Sequence, residues 1–458
     1  MVELKRDELH ASVCDPVAAS MNFLNEVASR YPDAIPLAAG RPYDGFYEAE
    51  DVHRYLAVYL SYLRQQGHGP DDVRRLLLQY GRTNGQIHQL IARWLERDEG
   101  IRVPANAIAV TAGCQEAMVI VLRGLCAGPR DVLLAAEPCY VGITGAARIL
   151  GVEVVPVPET ADGVDPAAVT AVARRVRSDG RRPRALYVVP DFANPSGACL
   201  DVPTRERLLE VAEEEDLLIL EDDPYGLFGV DDRPRPRLKS MDARQRVIYL
   251  GSFAKSVFPG ARVGFLVADQ TVVDQAGRRT LLADELSTVK SMLTVNTAPI
   301  AQAVVGGVLV DAECSLRAAN REKIAFYRRN LALLLDSLER AFPPSTRDSA
   351  GIRWNAPAGG FFVTVEVPFR ADEALLERSA REFGVLWTPM SFFYAGGGGE
   401  RALRLSHSCL EPDQIEEGVR RLARLVAAAT DGADGAADAD VADGADGADG
   451  ADVSGPPR

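Results

Sequence analysis

The sequence predicts an α/β protein: a large domain on a doubly wound, mostly parallel sheet over residues 76–330, with a smaller α+β domain beside it. Three observations carry this prediction. Apolar runs of strand length, at 185–189, 217–220 and 247–250, each stop at a Gly, Pro or polar cluster. Between such runs lie stretches with apolar residues at helical spacing, as in Ile87, Leu90, Ile91, Trp94 and Leu95. A chain of 458 residues, 47% of them hydrophobic, can bury a large core and divide into two or three domains. Residues 1–75 read as an N-terminal arm that joins the small domain, 331–429 as the main part of that domain, and 430–458 as a disordered Asp/Gly/Ala tail.

Composition excludes several function classes. The net charge is −14, and half of that excess comes from eight aspartates and one arginine after Thr430, so the body is only mildly acidic. Nucleic acid is therefore not an expected partner. The seven cysteines are scattered, with no Cys-x-x-Cys pair and no histidine at metal-ligand spacing, so reduced thiols and no metal site are expected. No apolar stretch approaches the roughly 18 residues that span a bilayer, and the first ten residues lack a signal-peptide core. A cytoplasmic enzyme without membrane association is the expectation.

Taken in order, residues 35–42 form an extended piece ending in a turn at Gly40. Residues 76–100 pass from a loop holding Tyr80 into an amphipathic helix, and Tyr80 alone reads as a packing tyrosine. A strand at 107–111 runs into Gly113, Cys114 and Gln115, where a glycine turn opens a helix whose N-terminal amides make an anion site. A strand at 132–136 leads to Tyr140, and another follows at 152–158. The arginine-rich run from 174 to 184 reads as a solvated helix end and loop. The strand at 185–189 leads to Asn194-Pro195-Ser196-Gly197, which on its own is turn chemistry.

The strand at 217–220 ends in Glu221-Asp222-Asp223, and acids there are unfavourable unless one meets a cation. The competing reading is an exposed acidic turn or a metal-ligand pair. The strand at 247–250 opens into a loop that sets Lys255 among Phe253, Ala254, Val257 and Phe258. Burial would depress its pKa and give an amine able to form a Schiff base. Ser252 and Arg262 flank it with a hydroxyl and a guanidinium fork, which suit a phosphate. An isolated Ser-x-x-Lys would be read as an ordinary loop lysine, and the longer spacing is what changes that. Amine plus phosphate cradle is what pyridoxal phosphate requires.

Long helices at 298–310 and 323–342 lead into the small domain. There Arg404 sits in an apolar strand, where it is costly without an anion to clamp; a bidentate guanidinium suits an α-carboxylate. Arg401 reads as surface, and His407 as a core or rim residue rather than a catalyst.

Ser252, Lys255, Pro259, Gly260, Arg262 and Gly264 reproduce a longer pattern, close to S-F-(S/A)-K-x-x-x-P-G-x-R-x-G. In it the chain resembles the aspartate aminotransferase-like enzymes, the class I/II aminotransferases of the type I pyridoxal-phosphate fold. Asn194-Pro195-Ser196-Gly197, Tyr80-Gly81 and Gly359-Gly360-Phe361-Phe362 extend the resemblance over nearly all of the chain except the tail. It implies that Lys255 anchors pyridoxal 5'-phosphate and serves as general acid/base. It also implies that Asp222 pairs with the ring nitrogen, that Tyr225 and Asn194 reach the ring oxygen, and that Tyr140 lies on the ring face. Ser252, Arg262, Gly113, Cys114 and Gln115 would hold the phosphate, with Cys114 standing where serine is frequent in the family. Arg404 and Asn194 would bind the substrate carboxylate, with Gly40 at the mouth.

Tyr80 would reach the cofactor of a neighbouring subunit, which implies a homodimer with shared active sites. The implied reaction is ping-pong transamination between an amino acid and a 2-oxo acid. The runs MNFLNEVASRYPDAIPLAAGRPYDGF and LQYGRTNGQIHQL further resemble actinobacterial aminotransferases that make phenylglycine-type amino acids for peptide antibiotics. That implies an arylglyoxylate acceptor and an aromatic amino donor. The rival readings are a broad aromatic or 2-aminoadipate aminotransferase, another activity of this fold such as an oxidase, lyase or racemase, and an effector-binding module of a transcription regulator. The last would need a basic DNA-binding unit ahead of the fold, and residues 1–30 are not basic.

Overall fold

Eight strands make the sheet of the large domain: β1 (Ile108–Thr111), β2 (Asp131–Glu137), β3 (Glu153–Thr160), β4 (Gly163–Val164), β5 (Arg182–Val188), β6 (Leu218–Asp223), β7 (Val247–Ser252) and β8 (Gly264–Val267). They are seen in a computed structural model that describes residues 2–13, 23, 26–232, 235–345, 347 and 351–442. Their spatial order is β1-β8-β7-β6-β5-β2-β3-β4. Neighbours from β7 through β3 are parallel, whereas β8 is antiparallel to both β7 and β1, and β4 to β3.

Strands such as Val247-Ile248-Tyr249-Leu250 are apolar throughout because helices cover both faces of a parallel sheet. The two-residue side-chain period then divides each strand between two cores. Along β2, Leu133 and Ala135 pack with helices Cys114–Leu125 and Val141–Ile149, while Val132 and Leu134 pack with helices Pro166–Ser178 and Val202–Glu214.

The small domain is built on an antiparallel sheet ordered β9-β10-β12-β11, from β9 (Arg353–Trp354), β10 (Phe362–Glu366), β11 (Thr388–Pro389) and β12 (Ala402–Ser406). Helices Arg321–Ala341 and Pro412–Ala442 cover it through Leu331, Leu334, Leu338, Ile415, Val419 and Leu422. The N-terminal arm joins this domain where Ile35–Pro36 pairs in parallel with Val385–Leu386 and buries Ile35 and Leu37. The next part of the arm goes elsewhere: Tyr59 and Leu63 of helix Ala49–Gln65 pack with Ala303 and Val308 of helix Pro299–Asp311, on the large domain. The arm thus straps the two domains together, and parts of residues 1–25 lie outside the described residues.

The expected disordered tail begins differently. Its first part, 430–442, continues helix Pro412–Ala442, which is already anchored by its apolar face and runs on through alanine-rich sequence. Residues 443–458 lie outside the described residues. Among the described residues, no helix is long and apolar enough to cross a membrane.

Below the carboxyl ends of β5 and β6 lies a dry ion-pair network. Arg237 meets Asp191 at 2.7 Å, Asp223 at 2.6 Å and Glu99 at 2.9 Å, and Arg205 meets Asp191 at 2.7 Å. None of these side chains is more than 5% exposed. Such a network ties the loops after β5 and β6 to the body, and removing one cation strands its carboxylates. Arg237→Met is expected to cost about 3–5 kcal/mol, read as a fall in the urea midpoint by circular dichroism. A shift no larger than that of the exposed-pair variant Arg207→Ala would contradict this.

Candidate active site

Strand ends converge on one cleft. Gly113 and Cys114 follow β1, Tyr140 follows β2, Asn194 follows β5, Asp222 lies at the end of β6 with Tyr225 just beyond it, and Lys255 follows β7. In open α/β sheets this carboxyl-end edge is where ligands bind. The cleft encloses about 1220 Å³, counted out to its open mouth, and the small domain contributes Phe362, Thr388, Phe393 and Arg404 to its wall.

Lys255 projects into the cleft from a turn held by Ser252, whose hydroxyl accepts from the Ala254 amide at 3.2 Å. Its Nζ donates to the Gly40 carbonyl at 2.6 Å. Burial, helped by the nearby charges of Arg404 and Arg262, brings this amine down to about 8. Gly40 has to be glycine here, because a Cβ would stand 2.5 Å from the Phe362 ring. The arm therefore delivers a bare backbone carbonyl to the lysine.

The three consecutive acids of β6 have three fates, set by the alternation of the strand. Glu221 is buried and accepts from the amides of Leu238 and Lys239 at 2.8 and 2.7 Å. Asp223 belongs to the Arg237 network and accepts from Tyr249 at 2.9 Å. Asp222 faces the cleft, 3% exposed. It accepts from the Tyr187 hydroxyl at 2.6 Å and from the Cys114 thiol at 3.5 Å, and burial raises it to about 6. Among the described residues no lysine or arginine pairs with it. A carboxylate buried this way calls for a cation supplied from the cleft.

At the opposite wall, Arg404 lies between the Phe362 and Phe393 rings, 4.2 and 4.9 Å from their centroids. It donates to Asn194 Oδ1 at 2.6 Å, the Ala38 carbonyl at 2.9 Å and Thr388 Oγ1 at 3.1 Å, while its Nε is buried without a hydrogen-bond partner. Burial lowers it to about 10. A cation held by neutral acceptors and stacked on rings is aimed at an anion.

The remaining end of the cleft suits a second anion. Gly113, at φ +79°, caps helix Cys114–Leu125, and Arg262 lies so close that a Cβ on Gly113 would meet its Nη2 at 2.6 Å. Gly264 allows β8 to pass against the same helix start, where a Cβ would stand 2.6 Å from the Cys114 amide nitrogen. Free helix amides beside a guanidinium form a phosphate-type site. Ser252, Cys114 and Gln115 line the cleft, with Gln115 donating to the Gly142 carbonyl at 2.7 Å. The Cys114 thiol turns towards Asp222 instead.

Of the residues singled out in the sequence, Tyr80 stands apart: it is 86% exposed on the single chain. Arg401 is exposed, and His407 is buried away from the cleft, lowered by burial to about 3 and therefore neutral. The sequence reading missed Tyr187, Thr388, Phe362, Phe393, Met118 and Arg41, all in or against the site. Tyr187 had one usable signal, a hydroxyl on an otherwise apolar strand that needs a partner when buried. Thr388 and Phe393 had none, because they meet the cleft only through the packing of the small domain.

Comparison with known proteins agrees with this geometry. The family model "Aminotransferase class I and II" matches residues 71–422. The chain is 50% identical over 427 residues to an (S)-3,5-dihydroxyphenylglycine transaminase of Amycolatopsis orientalis, covering 93% of this chain and 95% of that one. It is 32% identical over 399 residues to a 2-aminoadipate transaminase of Thermus thermophilus, covering 86% and 90%. Among solved structures, a multiple substrate aminotransferase from Thermococcus profundus superposes with a TM-score of 0.76 at 26% identity, covering 90% of this chain and 96% of that one. An alpha-aminoadipate aminotransferase of Thermus thermophilus, complexed with N-(5'-phosphopyridoxyl)-L-leucine, gives 0.73 at 30%, covering 92% and 99%. With strand ends, cleft and matched segment in agreement, this chain belongs to the class I and II aminotransferases and is a transaminase of the type I fold.

Proposed function

We propose that this transaminase uses pyridoxal 5'-phosphate to convert an arylglyoxylate, hydroxylated at the meta positions, into the corresponding phenylglycine, with an aromatic amino acid as donor. The observation that carries the cofactor assignment is Asp222, a buried carboxylate facing the cleft with no cation of its own among the described residues. A protonated pyridine nitrogen answers it, and the helix amides, Ser252 and Arg262 fit the phosphate. When bound, the coenzyme supplies an electron-withdrawing ring that takes up the electron pair left at the substrate Cα and carries the amino group between half-reactions.

The roles of the chain's own residues follow from their placement. Lys255 is the covalent anchor, and its Nζ, once free, takes the proton from the substrate Cα and passes it on to the carbon that carries the amino group away. Tyr140 presents a flat face from the end of β2, and Tyr225 and Asn194 supply donors near the ring oxygen. Asn194 turns its oxygen to Arg404, which puts its amide nitrogen on the other side. Arg404 holds the substrate carboxylate. The rings of Phe393 and Tyr140, with Met118 and Val141, give an apolar wall that suits an aryl side chain. The assignment of a dihydroxyphenyl substrate is supported by the relative at 50% identity.

The same reading makes the active enzyme a cytoplasmic homodimer in which Tyr80 of each chain reaches the other's phosphate site. Its 86% exposure on a single chain supports this.

A spectral titration tests the reading. Addition of an aromatic amino acid should remove the coenzyme's absorbance near the visible, and 3,5-dihydroxyphenylglyoxylate should restore it; no turnover of any arylglyoxylate with any aromatic donor would remove the substrate assignment. The pH dependence of coenzyme capture by the apoprotein has a definite sign. Only the neutral amine reacts, so the rate should fall as pH drops through about 8 and lose about tenfold per unit below it. Lys255→Ala should abolish capture, and a fall beginning near the ordinary lysine value of about 10.4 would contradict the burial argument. Arg404→Gln, measured by steady-state kinetics, should reduce kcat/KM for both half-reactions by about 10- to 100-fold, as loss of a charged hydrogen-bond pair implies.

A further inference from the structure

Tyr187 sits on β5 directly across from Leu220 of β6, and Asp222 lies two residues further along β6. The two-residue period places Tyr187 and Asp222 on the same face, at the end that opens into the cleft. The Tyr187 side chain is fully buried, and its hydroxyl donates to Asp222 Oδ2 at 2.6 Å. From the other side comes Cys114, at the first turn of helix Cys114–Leu125, with its thiol 3.5 Å from Asp222 Oδ1. Each carboxylate oxygen thus has one neutral donor, and the two donors arrive from different elements.

We propose that Tyr187 and Cys114 are positioning residues for Asp222, holding its carboxylate in one orientation and ionised so that it can pair with a cationic ring. This rests on the role given to Asp222 above. A phenylalanine would fill the same space on β5 without a buried hydroxyl that needs a partner, so the hydroxyl is there for its hydrogen bond. The thiol occupies a position from which a phosphate contact was expected, yet it points at the acid.

The electrostatic setting agrees. Burial pushes Asp222 upward, the bonds from Tyr187 and Cys114 pull it down, and Asp223 next to it pushes it up again. Cys139, Tyr140 and Tyr225, which also lie near it, are all raised by burial and stay neutral, as are Tyr187 and Cys114 themselves, while Lys255, Arg262 and Arg404 line the same cleft without a hydrogen bond to it among the described residues. Asp222 therefore relies on these two bonds to remain charged near neutral pH.

The test uses pyridoxamine 5'-phosphate, which has no aldehyde and so does not react with Lys255. Its dissociation constant on the full-length apoprotein is measured by fluorescence quenching from pH 5 to 9 for the parent and for Tyr187→Phe, Cys114→Ala, Cys114→Ser and Asp222→Asn. Titration of the probe itself is common to all five, so differences report the protein. The acid limb of affinity should move up by about one pH unit in Tyr187→Phe. Cys114→Ala should move it the same way by less, and Cys114→Ser should bring it back. If Tyr187→Phe and Cys114→Ala both superpose on the parent while Asp222→Asn weakens binding, the positioning role is overturned and the role of Asp222 stands. If Asp222→Asn binds as the parent does at every pH, the reading of Asp222 fails and this inference with it. Should Tyr187→Phe not fold, as judged by its melting curve, the Cys114 pair decides: a shift with alanine that serine reverses supports the proposal, and no shift overturns it.

Discussion

The site depends on Asp222, a carboxylate that the fold buries with no cationic partner among the described residues. Next to it, Asp223 and Asp191 share Arg237 and Arg205, so the chain has arginines to spend on buried acids and spends them one residue away. Strand alternation makes that separation possible. Glu221 and Asp223 turn to the body, where amides and guanidinium groups satisfy them, and Asp222 turns to the cleft. A lone acid placed so is unfavourable for stability in the empty protein, and that cost is recovered only when a cationic ligand arrives. The ion-pair network behind it supplies the rigidity that keeps the acid from relaxing towards solvent.

The N-terminal arm has a part in the site out of proportion to its regular structure. Ile35–Pro36 is a two-residue strand, yet it fixes the next few residues against the small domain, with the Leu37 carbonyl accepting from the Ser406 amide at 2.6 Å. From there the Ala38 carbonyl holds Arg404 and the Gly40 carbonyl holds Lys255. One extended segment thus links Arg404 of the small domain to Lys255 of the large one. Helix Ala49–Gln65 then ties the same segment to helix Pro299–Asp311.

The residues legible in the sequence were those whose chemistry was out of place locally. Lys255 among phenylalanines, Arg404 in an apolar strand and three acids at a strand end each demanded a partner, and the partner pointed to the cleft. The order of strands and helices was legible for a similar reason, since a both-face-buried strand reads as a continuous apolar run. What could not be read was anything decided by packing between distant segments. Thr388 and Phe393 look like ordinary small-domain residues until β11 and the turn after it are folded over the cleft. The division of the arm between two domains was hidden because helix Ala49–Gln65 has few buried residues of its own, Tyr59 and Leu63. The helix at 412–442 outran the expected boundary because the Asp/Gly/Ala segment was judged by its inability to form a core, whereas the helix was already anchored upstream.

Charge balance in the cleft ties these features to the chemistry. Lys255, Arg262 and Arg404 face one space, and burial and their mutual repulsion bring the lysine down to about 8. The lysine therefore gives up its proton more readily than an exposed one. Under the proposed reading, a phosphate beside Arg262 and a substrate carboxylate on Arg404 each cancel one of the charges that depress it. Both additions raise the proton affinity of Nζ, and the second occurs only when an amino or oxo acid has docked. On that reading the amine becomes a stronger base once substrate is in place. Among the described residues Arg404 has no acid of its own, since Asn194, Thr388 and a backbone carbonyl orient it while leaving its charge uncompensated. Replacing one of those neutral acceptors by a carboxylate would hold the guanidinium as firmly and remove the signal that the substrate has arrived.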